Sequence, residues 1–214
     1  MSNIFSRAVL DKYFTTILQL IYTKLQTAAD SLKLRFARFF HLVSGRLEAG
    51  YGVDYFIKQS DAVDAAAFTS VYPPFVLSET EKLARPVDRK AAVVSLTKTL
   101  CDSQAFAQRF VKGWGNTCRI LLSLLANPPV VAGGAGDELI ADADVDDIGF
   151  GMSFTPLNTC KPLARDDFPE VVNVATWVKE YMGAANQRHG GAIAGFINER
   201  LTPEMQQGMA QYLS

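Results

Sequence analysis

Alternating carboxylates are the feature of this chain with the most evident chemistry. Asp142, Asp144, Asp146 and Asp147 lie in the run GGAGDELIADADVDDIGFG with Asp137 and Glu138, and no basic residue stands among them. Asp142, Asp144 and Asp146 match the first alternating ligands of a calcium loop. Asp147, however, stands where the sharp turn requires glycine, and Ser153 stands where the bidentate glutamate belongs, so calcium binding in that form is not expected. The run reads instead as an exposed acidic loop, either a solubilising linker or a surface that draws basic protein partners at long range. Gly133, Gly134 and Gly136 suggest a phosphate cradle. Neither Lys-Ser nor Lys-Thr follows and no strand leads in, which argues against nucleotide binding there.

Nucleophiles are few. Cys101, Cys118 and Cys160 are the only cysteines and His41 and His189 the only histidines, and none has zinc-ligand spacing or a recognised nucleophile context. An enzymatic reading needs His189, Asp166 or Asp167, and Cys160 to meet in one polar cavity. Solvated carboxylates in an acidic loop stay ionised together and do not separate into an acid and a base. The sequence therefore predicts no catalytic residue, no cofactor and no metal. His41, set among aromatics, reads as a packed histidine. The work that remains is the holding of other proteins.

The elements that position these residues read as helices. The chain has 214 residues, 49% of them hydrophobic, and a formal charge of −1, enough to bury a sizeable core and too little positive charge to grip nucleic acid in bulk. Leu10, Tyr13, Phe14, Ile17, Leu18, Ile21 and Leu25 mark one helix, interrupted by Asp11, Lys12, Gln19 and Lys24 as a membrane span would not be. A second, capped by Asp30 or Ser31 and stopping at Gly50, carries a basic strip of Lys33, Arg35, Arg38 and Arg46. Gly52 to Ala67 gives a shorter helix, and Pro73-Pro74 predicts a bent or split one. Leu83–Ser103 is the organising helix, buried along one side and paired antiparallel with a helix ending just before Pro86. Gly113 and Gly115 loosen the next stretch, after which Asn116 to Ala126 is helical as far as Pro128-Pro129. Beyond the acidic loop, an extended segment over 148–163 precedes helices from Phe168, from Ala192 and from Pro203, the first two separated by Gly190-Gly191. The expected architecture is all-α, a solenoid of stacked helix pairs over 1–127, an acidic loop and extended segment over 128–169, and a terminal pair over 170–214.

The runs VLDKYFTTILQLIYTKLQ, LRFARFFHLVSGRLEAGYGVDYF and LARPVDRKAAVVSLTKTLCDSQAF, with KGWGNTC, resemble the carboxy-terminal part of the fungal exportin that recycles importin-alpha, the cellular apoptosis susceptibility (CAS) family. The resemblance runs from about Ala8 to the end. It implies a HEAT-repeat α-solenoid of the importin-beta superfamily, with Pro86, Asp88 and Arg89 or Lys90 as the inter-helix turn residues. It further implies partnership with importin-alpha and Ran-GTP, contact with nuclear pore proteins, and a place in nucleus, cytoplasm and nuclear envelope, with no membrane insertion and no nucleic acid. Under it the basic surfaces of importin-alpha and Ran are expected to meet Asp142, Asp144, Asp146 and Asp147. The family's amino-terminal Ran-binding repeats have no counterpart here, which suggests a truncated product or a fragment. A generic helical-repeat adaptor without Ran dependence is the alternative.

Overall fold

A computed structural model describes residues 7–46, 50–129 and 166–213. Every regular element among them is helical: α1 (Arg7–Leu25), α2 (Asp30–Ser44), α3 (Val53–Val63), α4 (Ala67–Val71), a π-helical turn (Tyr72–Leu77), α5 (Ser78–Thr80), α6 (Pro86–Asp102), α7 (Gln104–Arg109), α8 (Val111–Ala126), α9 (Val174–Arg188), α10 (Ala192–Arg200) and α11 (Pro203–Ala210).

The split expected at Pro73-Pro74 takes the form of the π turn. Two consecutive prolines remove the donors that would bond the carbonyls of Thr69 and Ser70, so the ladder widens, and the Ser78 N–H reaches five residues back to the Pro73 carbonyl. The widened turn is not idle packing. Tyr72 is buried in it, with its hydroxyl 2.8 Å from Thr117 Oγ1 on α8.

Rings carry the core from one element to the next. Phe14 of α1 meets Phe56 of α3 at 5.6 Å, Phe56 meets Phe40 of α2 at 4.9 Å, Phe40 meets Tyr72 at 5.4 Å, and Tyr72 meets Phe106 of α7 at 5.4 Å. Such edge-on and tilted pairs each contribute roughly 0.5–1.5 kcal/mol beyond area burial. The result is a serial core, each helix burying its neighbour's open side.

α6 lies at its centre, and there the structure corrects the sequence reading. The helix is buried all round, not along one side: Ala92 to Cys101 are buried without exception, with α2, α8 and α9 packed about them. Small and β-branched residues (Ala92, Val93, Val94, Ser95, Thr97, Thr99) let three helices approach closely, which a long-side-chain stripe would forbid.

Boundaries differ where tertiary contacts outrank local signals. α2 ends at Ser44, not Gly50, because Lys98 Nζ donates to the Gly45 carbonyl at 2.8 Å and Phe168 occupies the space beside Gly45. Neither Asp30 nor Ser31 caps α2; Ala29 is the cap residue, and Asp30 lies in the first turn paired with Lys33 at 2.9 Å. α3 stops at Val63, short of Ala67. Gly113 and Gly115 stay inside α8; the break falls at Phe110, whose Cβ lies 3.3 Å from where a side chain at Gly113 would begin. Ser103 caps α7, its Oγ accepting from the Phe106 N–H at 2.9 Å. Gly190 and Gly191 separate α9 from α10 with φ of +58° and +86°, left-handed values that favour glycine.

Candidate protein-binding surfaces

Charge converges on the first turn of α6. Pro86 opens it, and Asp88 accepts from Arg85 Nε at 2.8 Å and Arg85 Nη2 at 3.0 Å while Arg38 Nε of α2 lies 2.8 Å from its Oδ2. Arg89 donates to the Asn127 carbonyl at 2.9 Å and Lys90 to Asp166 Oδ2 at 2.6 Å. All four turn residues singled out in the sequence therefore have distinct roles. Arg89 and Lys90, adjacent in the chain, hold the two residues that flank the stretch 128–165.

Asp166, Asp167 and Phe168 form a clamp. Asp167 takes Arg46 Nη2 at 2.7 Å, and Phe168 is buried against Gly45 under the Lys98 ammonium, 5.9 Å from its ring centroid. Lys90 and Lys98 are almost wholly buried, and each ammonium is satisfied by an oxygen, as burial of a charge requires. Sequence reasoning missed this clamp. Its only local signal is that Lys90 and Lys98 lie eight residues apart on α6, towards the same side of the helix.

The basic strip on α2 is largely consumed inside the protein: Lys33 pairs with Asp30, Arg38 with Asp88 and Arg46 with Asp167. Between α2 and α6 these residues leave a cleft of about 360 Å³, walled by Arg38, Phe39, Leu42, Val87, Asp88 and Ala91. A second, apolar cavity of about 220 Å³ lies at the far end of α6, lined by Leu100, Cys101, Ala107, Ile193 and Phe196, with His189 beside them.

The catalytic grouping is not assembled. His189 lies by Leu100 and Cys101, while Asp166 is bound to Lys90, ten residues and roughly 15 Å back along α6. Burial pushes the Cys101 and Cys118 thiols well above their ordinary range, leaving them unreactive. His41 is the packed histidine expected. Thr80 Oγ1 gives its proton to the Val76 carbonyl at 2.6 Å, so His41 Nε2 must be the donor to Thr80 at 2.7 Å and Nδ1 the acceptor from Ser95 at 3.2 Å. Burial lowers its pKa to about 3.

Asp142, Asp144, Asp146, Asp147, Cys160 and the glycines of 133–136 lie outside the described residues. Among the described residues no three His, Cys, Asp or Glu side chains could hold a metal ion, and no helix is long and apolar enough to cross a membrane. One apolar face is open: on α1, Phe14 and Leu18 turn inward, whereas Tyr13, Ile17 and Leu20 are exposed. The wide apolar face read from the sequence thus divides into a buried side and an exposed one.

Stacked helices sharing one serial core, with charged and apolar clefts between them, define a helical-repeat protein of the solenoid class. The chain belongs to the CAS/CSE family: the family's region described as "CAS/CSE protein, C-terminus" matches residues 1–212. It is 26% identical over 98% of its length to the importin-alpha re-exporter of Schizosaccharomyces pombe and 24% identical over 94% to that of Saccharomyces cerevisiae, spanning 22% and 21% of those proteins. It is also 22% identical over 71% of its length to Exportin-2 of Drosophila melanogaster, of which it spans 16%. Its fold is that of the exportin Cse1 in its cargo-free, cytoplasmic state, with a TM-score of 0.70 at 21% identity, 98% of this chain covering 21% of that one. The all-α HEAT-repeat solenoid expected from the sequence is thus the fold observed.

Proposed function

We propose that this chain forms the carboxy-terminal repeats of a nuclear export receptor that binds importin-alpha together with Ran-GTP and returns importin-alpha to the cytoplasm. The observation that carries this reading is the family match over residues 1–212, joined to an exportin-like fold of the same extent. Binding, not catalysis, is its work, and its surroundings are the nucleus, the cytoplasm and the pore-bearing nuclear envelope between them. In this reading residues 1–127 supply helix pairs, 128–169 an acidic excursion and 170–214 a terminal pair.

Asp142, Asp144, Asp146 and Asp147 face the basic surfaces of importin-alpha or Ran, raising the rate of encounter more than the final affinity. The placement of their flanks supports this, because Asn127 and Asp166 are both held at the first turn of α6. The test compares capture of importin-alpha and Ran-GTP by this chain with all four aspartates intact or changed to asparagine, across a salt series. Reduced capture at low salt that converges at high salt is expected. Equal recovery at every salt concentration would remove these residues from the account.

A further inference from the structure

The apolar cavity at the carboxy end of α6 has the size of one aromatic ring. Its volume is about 220 Å³, and Leu100, Cys101, Ala107, Ile193 and Phe196 wall it. An apolar cavity of roughly 150 Å³ holds a benzene, so a phenyl side chain fits here while its main chain stays outside. Phe196 offers that ring an aromatic neighbour. Among the described residues no Asp, Glu, Lys or Arg lines the cavity; Gln104, Gln108 and His189 make its polar rim. The charges next to it are engaged with each other, Asp102 with Arg188 at 3.1 Å and Asp61 with Arg109 at 2.6 Å. A charged group brought to this rim would lose water without gaining a counter-ion, so the cavity favours an uncharged segment carrying a ring.

The chain contains such a segment. IGFGMSFTPLNTC, residues 148–160, has no charged side chain, and Phe154 is its central residue, seven positions from both Asp147 and Lys161. Phe150, three positions from Asp147, would bring a carboxylate to the rim. Length selects the same residue. Asp166 is fixed to Lys90 at 2.6 Å, roughly 15 Å along α6 from the cavity. Twelve positions separate Phe154 from Asp166, a tether of about 40 Å when fully extended and about 20 Å in root-mean-square span when flexible. Leu163, at most about 10 Å from Asp166, falls short. A tether whose ordinary span matches the gap gives an effective concentration near its maximum, on the order of millimolar, so even the weak contact of a single ring is populated within one chain. We infer that Phe154 docks in the cavity between α6, α7 and α10, fastening residues 148–160 to the solenoid and leaving the acidic run 137–147 outside the fastening. The inference concerns two parts of one chain, so it stands or falls separately from importin-alpha and Ran.

Paramagnetic broadening tests it in the whole 214-residue chain. A nitroxide is placed on Cys160, the Cys101 and Cys118 thiols being buried, and the methyl signals of Ile193 are read. Broadening of Ile193 is expected in the otherwise unmutated chain, with most of it lost in Phe154→Ala and none lost in Phe150→Ala. Ala192→Phe, which builds a ring at the exposed mouth of the cavity, should remove the broadening with Phe154 intact. In the chain without nitroxide, Phe154→Ala should also shift the Ile193 methyl resonances, a readout that needs no label. Absence of broadening in the unmutated chain would leave the cavity to a partner and overturn the proposal. So would equal broadening in Phe154→Ala, or its loss in Phe150→Ala instead. Broadening that passes to nitroxide-free chains in an equal mixture would assign the ring to a second copy and overturn it as well.

Discussion

Acidification should destabilise this protein through His41, and the size of the effect can be worked out. The imidazole is buried and neutral, with a folded-state pKa of about 3 set by desolvation, against 6.5 for an exposed histidine. Between those values the unfolded chain takes up a proton that the folded chain refuses. Stability from this group is therefore whole above pH 6.5 and is lost progressively as pH falls towards 3. From pH 7.5 to 5.0 the loss is about 2 kcal/mol, at 1.36 kcal/mol for each unit below 6.5. His41→Gln keeps a donor for Thr80 and an acceptor for Ser95 but cannot titrate, so it isolates the term. Urea unfolding at both pH values, for both proteins, measures it. The Gln variant is expected to be less stable at pH 7.5 yet to lose about 2 kcal/mol less on acidification. Identical pH dependence in the two proteins would mean that the imidazole is charged or solvated when folded, and the buried tautomer assigned here would be wrong.

Gly45→Ala places a Cβ 2.6 Å from Phe168 Cζ and should cost about 1–3 kcal/mol, with Phe168→Leu recovering part of it in a double-mutant cycle followed by urea unfolding. Leu96→Ala, at the centre of α6, should cost about 2–5 kcal/mol by the same measurement, since α2, α8 and α9 cannot all close on the cavity. Ile17→Glu with Leu20→Glu, on the open face of α1, should leave the melting temperature nearly unchanged while lowering light scattering at high protein concentration. Unchanged scattering would show that this face does not drive self-association.

Local rules sufficed where the signal was local. Ser103, Pro86, Pro203 and the Gly190-Gly191 break do in the fold what their side chains and φ preferences dictate, and the Pro73-Pro74 break follows from two missing donors. Periodicity found α1 but could not say which flank of its wide apolar face is covered. The end of α2 was illegible because Lys98, 53 residues away, captures the Gly45 carbonyl. Gly113 and Gly115 read as breakers, whereas close approach to Phe106, Phe110 and Leu201 makes small residues useful inside α8. The clamp of Asp166, Asp167 and Phe168 spans as much as 121 positions, a separation that no local pattern encodes. Arg38 was visible as part of a basic strip, but its shared carboxylate was not.

The receptor reading is tested most directly by a graft. This chain would replace the matching fifth of the Saccharomyces cerevisiae importin alpha re-exporter, and the affinity of the chimera for importin-alpha would be measured with Ran-GTP and with Ran-GDP. Binding at least about tenfold tighter with Ran-GTP is the predicted result. A monodisperse, helical chimera that holds importin-alpha equally with either nucleotide form, or not at all, would contradict it.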